Sequence, residues 1–136
     1  MKRGSSGNLT RADAPLLLDT HIIIWMASGD PRLNRVDQSA LADPDRRLCV
    51  SAVIAFEFAD LQKRGRFDIE EPLDFLQTHM GFDILDLPKT CWQAAALLPS
   101  IHRDPVDRML VAHALADGMT IVPADTTIRR YPVPCI

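Results

Sequence analysis

The apolar residues of this chain fall into two patterns. Leu16-Leu17-Leu18, Leu48-Cys49-Val50 and Met119-Thr120-Ile121-Val122 are short, nearly unbroken runs, the signature of strands buried on both faces. Phe82 to Leu87, stopped by Pro88, forms a further strand. Between them the apolar positions take helical spacing. Thr20 to Ser28 follows the first strand and closes at the turn-forming Gly29-Asp30-Pro31. Asn34 as N-cap predicts a helix from Arg35 to about Ala42, ended by Asp43-Pro44. Ser51 caps a helix from Ala52 to Arg64, with Gly65 as its stop. Glu70 to His79 is the next, with Leu73, Phe75 and Leu76 facing inward and Met80-Gly81 ending it. Lys89 to Leu98 follows, its Ala94, Ala95 and Ala96 permitting close packing before Pro99. Asp104 caps a helix with Pro105 at its first position and Asp107 at its third. Asp125 caps a short one from Thr126 to Arg130. Strands alternating with helices imply β-α units around a parallel sheet, the α/β class.

At 136 residues the chain fits one domain with a real core. Hydrophobic residues at 47%, charged residues at 24% and a mean hydropathy near zero exclude a disordered chain. A net charge of -3 argues against binding nucleic acid by bulk charge, and leaves a local basic rim or a metal-mediated phosphate contact. Residues 1 to 15 are polar and contain glycine and serine, and read as a flexible extension outside a domain spanning residues 16 to 136. The basic start carries no apolar segment of a secretory signal, and no run approaches the ~18 apolar residues that cross a bilayer. Cys49, Cys91 and Cys135 are odd in number and widely spaced, as reduced thiols of a cytoplasmic protein would be.

Asp19 ends the first strand, and in parallel sheets ligands sit outside the carboxyl ends of strands. It equally serves as the N-cap of the helix from Thr20. Glu57 has Val53, Ile54 and Leu61 one turn away, with Asp60 the polar exception, so it lies on or beside a buried stripe. A buried carboxylate must be protonated, paired or bound to a cation; the bland alternative is a solvated edge. Asp104 and Asp107 sit at the positive end of a helix, worth roughly 0.3 to 1 kcal/mol each, and Asp125 again follows a strand. Each acid has an innocent explanation. Together, Asp19, Asp107 and Asp125 occupy strand ends or helix N-termini at one edge of the sheet, and Glu57 comes off a helix after a second strand. His21, His102 and His113 match no zinc spacing and read as structural or rim residues. Trp25 reads as core rather than as a stacking platform.

Leu17-Leu18-Asp19-Thr20-His21, the glutamate between Ser51 and Leu61, Arg103-Asp104-Pro105-Val106-Asp107-Arg108-Met109-Leu110-Val111-Ala112-His113-Ala114 and Ile121-Val122-Pro123-Ala124-Asp125 together resemble the PIN-domain ribonucleases, specifically the VapC-type toxins of bacterial toxin-antitoxin pairs. The third block is the most specific, and the resemblance runs from Pro15 to the C-terminus. It implies a three-layer α/β/α sandwich with a mostly parallel sheet of four or five strands. It places the family's acids on Asp19, Glu57, Asp107 and Asp125 as catalytic and metal-holding residues, with Asp104 assisting at the metal. Thr20 and Arg108 follow as substrate-binding candidates, Arg108 alternatively pairing with a site carboxylate. The family usually has Thr or Ser two residues before the fourth acid; Pro123 stands there instead, removing a hydroxyl that would orient Asp125.

Crowded carboxylates repel by about 4 kcal/mol per close pair at an effective dielectric of ~20, so the cluster calls for a cation. Hard oxygen ligands favour Mg²⁺ or Mn²⁺ over Zn²⁺, and such an ion can activate water against a phosphodiester. The expected activity is a metal-dependent endoribonuclease acting on RNA, with Lys63, Arg64, Arg66, Arg103 and Arg108 as candidate backbone contacts or solvated charges. The resemblance adds a VapB-type antitoxin and a homodimer or larger toxin-antitoxin assembly. Two rivals remain. A phosphohydrolase of the haloacid dehalogenase kind needs a second aspartate two residues after the first, where His21 stands. A PIN-like module that binds RNA or protein without cutting would keep the fold and lose the metal.

Overall fold

A computed structural model describes residues 14–101 and 103–136. Residues 1–13 of the expected extension, and His102, lie outside the described residues. Ala14 and Pro15 are already tied to the sheet: Ala14 is buried and its carbonyl accepts from Arg46 Nε at 2.6 Å, while the Pro15 carbonyl accepts from Thr120 N at 2.9 Å.

Four strands form one parallel sheet: β1 (Leu16–Leu18), β2 (Leu48–Ser51), β3 (Phe82–Leu85) and β4 (Thr120–Val122), in the order β3-β2-β1-β4. Every residue of β1, β2 and β4 is buried. Successive strand residues point to opposite faces, so both faces of these strands must be covered, and the architecture is a three-layer α/β/α sandwich. Edge strand β3 is different: Asp83 and Ile84 are exposed. Helices α1 (Thr20–Ser28), α2 (Gln38–Ala42), α3 (Ala52–Lys63), α4 (Leu73–Met80), α5 (Cys91–Leu97) and α6 (Pro105–Asp117) surround the sheet. The core runs through Leu16, Leu18, Ile22, Ile54, Phe58, Leu110 and Ile121, all sealed from solvent. No described helix is long and apolar enough to cross a membrane.

The chain leaves β1 for β2 and β3 on one side and returns to β4 on the other. That reversal opens a crevice at the carboxyl end of β1 and β4, the place where doubly wound sheets take their ligands. The outer edge of β4 is closed by the C-terminal segment, with Ile121 N donating to Pro134 O at 2.9 Å and Ile136 N donating to Ile121 O at 3.1 Å. An open edge would otherwise present unpaired backbone groups.

Four sequence expectations shift. Asn34 caps nothing; it lies in a 3-10 turn, Pro31–Arg35, and α2 starts at Gln38 because Asp37 accepts from both Ser39 N and Ala40 N. The helix expected from Glu70 begins at Leu73, since Pro72 forces the residue before it out of helical backbone. Phe75, expected inside, is 45% exposed, while Leu73 and Leu76 face the core. Strand β3 ends at Leu85 and α5 starts at Cys91, so residues 86–90 are connector.

Candidate functional site

Asp19, Glu57, Asp104, Asp107 and Asp125 line a single cleft of about 570 Å³ at the carboxyl end of the sheet. Four different parts of the fold deliver them: the end of β1, the middle of α3, the first turn of α6 and the segment after β4. His21, Trp25, Arg35 and Thr126 complete the walls together with Ala124.

Asp19 does two jobs that sequence reading set against each other. Its Oδ1 accepts from Thr20 N at 2.8 Å as the N-cap of α1, and its Oδ2 accepts from Ala124 N at 3.1 Å across the β1–β4 crevice. Both oxygens are thereby aimed while the residue stays 5% exposed. Burial pushes its carboxyl up, against the pull of the Ala124 and Thr20 amides.

Asp107 is 7% exposed at the third position of α6. Burial first, then the charges of Asp19, Asp104, Glu57 and Asp125, push its carboxyl up to about 8. Near neutrality an acid so placed holds a proton unless a cation replaces it. Glu57 is half-buried, as the apolar stripe of α3 implied, and burial raises its carboxyl, with Asp104 and Asp19 adding to the rise. Asp104 caps α6 through Val106 N at 2.9 Å and is partly exposed. Asp125 is exposed at the mouth, and its carboxylate accepts from Thr127 N at 2.8 Å. Pro123 supplies no hydroxyl to it, and that amide bond helps orient it.

Neither substrate-binding candidate is among the residues lining the cleft. Thr20 is fully buried behind it, and its hydroxyl donates to Glu57 Oε1. Arg108 turns away from the cleft: its guanidinium donates to Ala95 O at 2.6 Å, Pro99 O at 3.0 Å and Leu98 O at 3.3 Å, adding to the backbone bonds that Ala95 O takes from Leu98 N and Pro99 O from Ile101 N, and tying down the end of α5. It does so rather than pairing with a site carboxylate because α5 packs on α6 and ends beside it. Lys63, Arg64, Arg66 and Arg103 are absent from the cleft walls, and Arg64 pairs with Asp60 at 3.0 Å. The guanidinium that does line the cleft, Arg35, comes from the Pro31–Arg35 turn. Trp25 is buried, as a core residue should be, yet also forms part of the wall, with the Arg32 guanidinium 5.2 Å from its ring centroid. His21 is exposed on the rim. His113 is fully buried on α6, bonded to Ser51 and Asp117.

Apart from the rim imidazole of His21, the side chains able to ligate an ion in the cleft are chiefly carboxylates, the hard ligands that Mg²⁺ and Mn²⁺ prefer. Burial and mutual charge leave Asp19, Glu57 and Asp107 all biased toward protonation, which is the electrostatic condition a divalent cation relieves. The residues therefore fit a hard cation in kind. Among the described residues no three His, Cys, Asp or Glu side chains are gathered into a closed ligand set. Closing one requires side-chain rotation, and Glu57 would leave or share its bond to Thr20.

Comparison with known proteins agrees with this geometry. The PIN domain family model matches residues 16–134. Ribonuclease VapC22 of Mycobacterium tuberculosis is 31% identical over 125 residues, covering 88% of this chain and 95% of that protein. Among solved structures, VapBC of Salmonella typhimurium bound to DNA superposes with a TM-score of 0.62 at 17% identity, over 90% of this chain and 97% of the other. VapBC2 of Rickettsia felis, bound to a DNA fragment from its promoter, gives a TM-score of 0.60 at 17% identity over 89% and 96%. The sheet order, the gathered acids and these matches lead to one assignment: the chain belongs to the PIN-domain family, in its VapC-type branch.

Proposed function

We infer that this protein is a divalent-metal-dependent endoribonuclease, the toxin of a type II toxin-antitoxin pair. One observation carries the reading: acids from four separate elements share one cleft, and the most crowded of them, Asp107, is pushed up to about 8. Such a cluster is costly to the fold unless a cation compensates it. Asp19, Glu57 and Asp107 would hold Mg²⁺ or Mn²⁺, with Asp125 and Asp104 at the outer side. The ion, when bound, supplies an activated water and neutralises charge developing on an in-line attacked phosphodiester.

The chain's own residues do the remaining work. The Thr20 and Ala124 amides hold the Asp19 carboxylate in one orientation. Thr20 holds Glu57, and the buried Trp25 and the half-buried Ala124 supply apolar wall beside the acids. Arg35 offers a positive group to an RNA phosphate at the rim. The relative's name, a VapC ribonuclease, supports RNA as the substrate. The VapBC titles support a VapB-type antitoxin as partner; a cytoplasmic homodimer within a larger assembly is carried by the family resemblance alone.

RNA cleavage by the wild type with and without Mg²⁺, and by Asp19→Asn, tests the chemistry. Activity that requires the ion and falls by at least a hundredfold in the variant is expected; unchanged cleavage by Asp19→Asn removes the mechanism. The second reading, a PIN-like module that binds without cutting, draws on the engagement of Glu57 by Thr20 and on Pro123. It predicts no cleavage and a melting temperature indifferent to Mg²⁺, because a ligand of the native state must stabilise it.

A further inference from the structure

Outside the cleft, the described residues hold one buried polar chain that the mechanism above does not use. Ser51 and His113 are both fully sealed from solvent, 62 residues apart, with His113 Nδ1 2.8 Å from Ser51 Oγ. His113 Nε2 lies 3.1 Å from Asp117 Oδ2, and Ser51 Oγ accepts from Val53 N at 3.3 Å. With the ring neutral and facing an ionised Asp117, which can only accept, the ring proton is assigned to Nε2, and Nδ1 accepts the single proton of Ser51. The bonds run in one direction, from the Val53 amide through Ser51 and His113 to Asp117, with every buried donor and acceptor satisfied. The trio has the composition of a hydrolytic triad, but burial of both Ser51 and His113 bars a substrate.

What the chain of bonds joins is informative. Ser51 ends β2 and caps α3; His113 and Asp117 belong to α6. Glu57 stands six residues beyond the pin on α3, and Asp107 six residues before it on α6. At 1.5 Å per helical residue, each acid lies about 9 Å along its own axis from the pin. Both reach the same cleft. A slide or tilt of α6 at the Ser51–His113 bond therefore moves Asp107 relative to Glu57, and no solvent reaches Ser51 or His113 to replace that bond.

We propose that His113 is a positioning residue for the acid cleft, setting through Ser51 the spacing of Glu57 and Asp107 and with it the affinity for a divalent ion. This rests on the reading of the cleft as a metal site.

The test is Mn²⁺ titration calorimetry well below the melting temperature, with melting curves and RNA-cleavage kinetics, on wild type, His113→Leu, His113→Gln and Asp117→Ala. The glutamine amide spaces a donor and an acceptor much as the imidazole does, so it is the conservative exchange. His113→Leu is expected to bind Mn²⁺ about tenfold more weakly, in the range set by residues that orient metal ligands. Its kcat falls while its KM for RNA stays within twofold, and His113→Gln recovers most of the affinity. If His113→Leu does not fold, Asp117→Ala, altered at a side chain 44% exposed, carries the test with an expected loss of about threefold. Mn²⁺ affinity equal to wild type in the folded variants, whatever their melting temperature, overturns the proposal. A wild type that binds no Mn²⁺ overturns the metal reading itself, a separate and recognisable result.

Discussion

Replacing Asp107 by Asn should make the metal-free protein more stable at pH 8 and leave it nearly unchanged at pH 4. Asn has the shape of the protonated acid and cannot ionise. The native carboxyl titrates near 8 against an ordinary value of 3.8, so between those two pH values the folded chain binds more protons than the unfolded one. Stability then falls as pH rises through that window, and the full cost is present only above the folded value. At 1.36 kcal/mol per unit the whole shift would be about 6 kcal/mol. Proton sharing among the acids and water at the cleft mouth reduce the usable part to about 2 kcal/mol. For a chain of this size that is about 6 to 8 °C in melting temperature. Mg²⁺ reverses the order: at a concentration of 100 times its dissociation constant it adds about 2.7 kcal/mol to the wild type, and far less to the variant. Thermal melts across pH 4 to 9, with chelator and with Mg²⁺, measure all of this. A variant whose advantage does not grow with pH, or whose melting temperature rises with Mg²⁺ as much as the wild type's, would refute the reasoning.

Thr20→Val keeps the shape of a buried side chain but removes the donor to Glu57; stability should fall by about 1 to 2 kcal/mol, and kcat should drop about tenfold in single-turnover cleavage. Arg108→Ala removes three bonds to carbonyls at the end of α5, of which Ala95 O and Pro99 O keep a backbone donor; denaturant melts should show a loss of about 1 to 3 kcal/mol, with the kcat of the folded fraction unchanged. Arg35→Ala should raise the KM for RNA several-fold without altering kcat. In binding titrations at several salt concentrations, it should also lower the salt slope by about 0.7 for a single-stranded substrate.

The helix starts at Ser51, Asp104 and Asp125 were legible in the sequence because a cap is a local bond, made within two residues of the side chain that makes it. The strands were legible for a similar reason: a run with no polar position has nowhere to go but inside. Asn34 failed as a cap because a stronger competitor, Asp37, lay three residues on and could take two amides. The bonds that shape the cleft belong to another class. Thr20 meets Glu57 across 37 residues, and Asp19 meets Ala124 across 105. Arg108 had two plausible destinations, and only the packing of α5 on α6 decides between them. Arg35 was hidden because its turn was read as the start of a helix, a setting in which an arginine is ordinarily solvated.

The strand at the middle of the sheet is among the first parts of the described chain to be synthesised, and its partner on one side is nearly the last. Leu16 pairs with Thr120, so β1 waits with that flank open while about a hundred residues are added. Non-local pairing of this kind makes folding slow. It also means that a chain interrupted before Thr120 lacks the wall that carries Asp125 and the Ala124 amide that steadies Asp19. An interrupted translation product would thus lack a complete crevice, because that crevice comes into being only when residues 120 to 125 arrive.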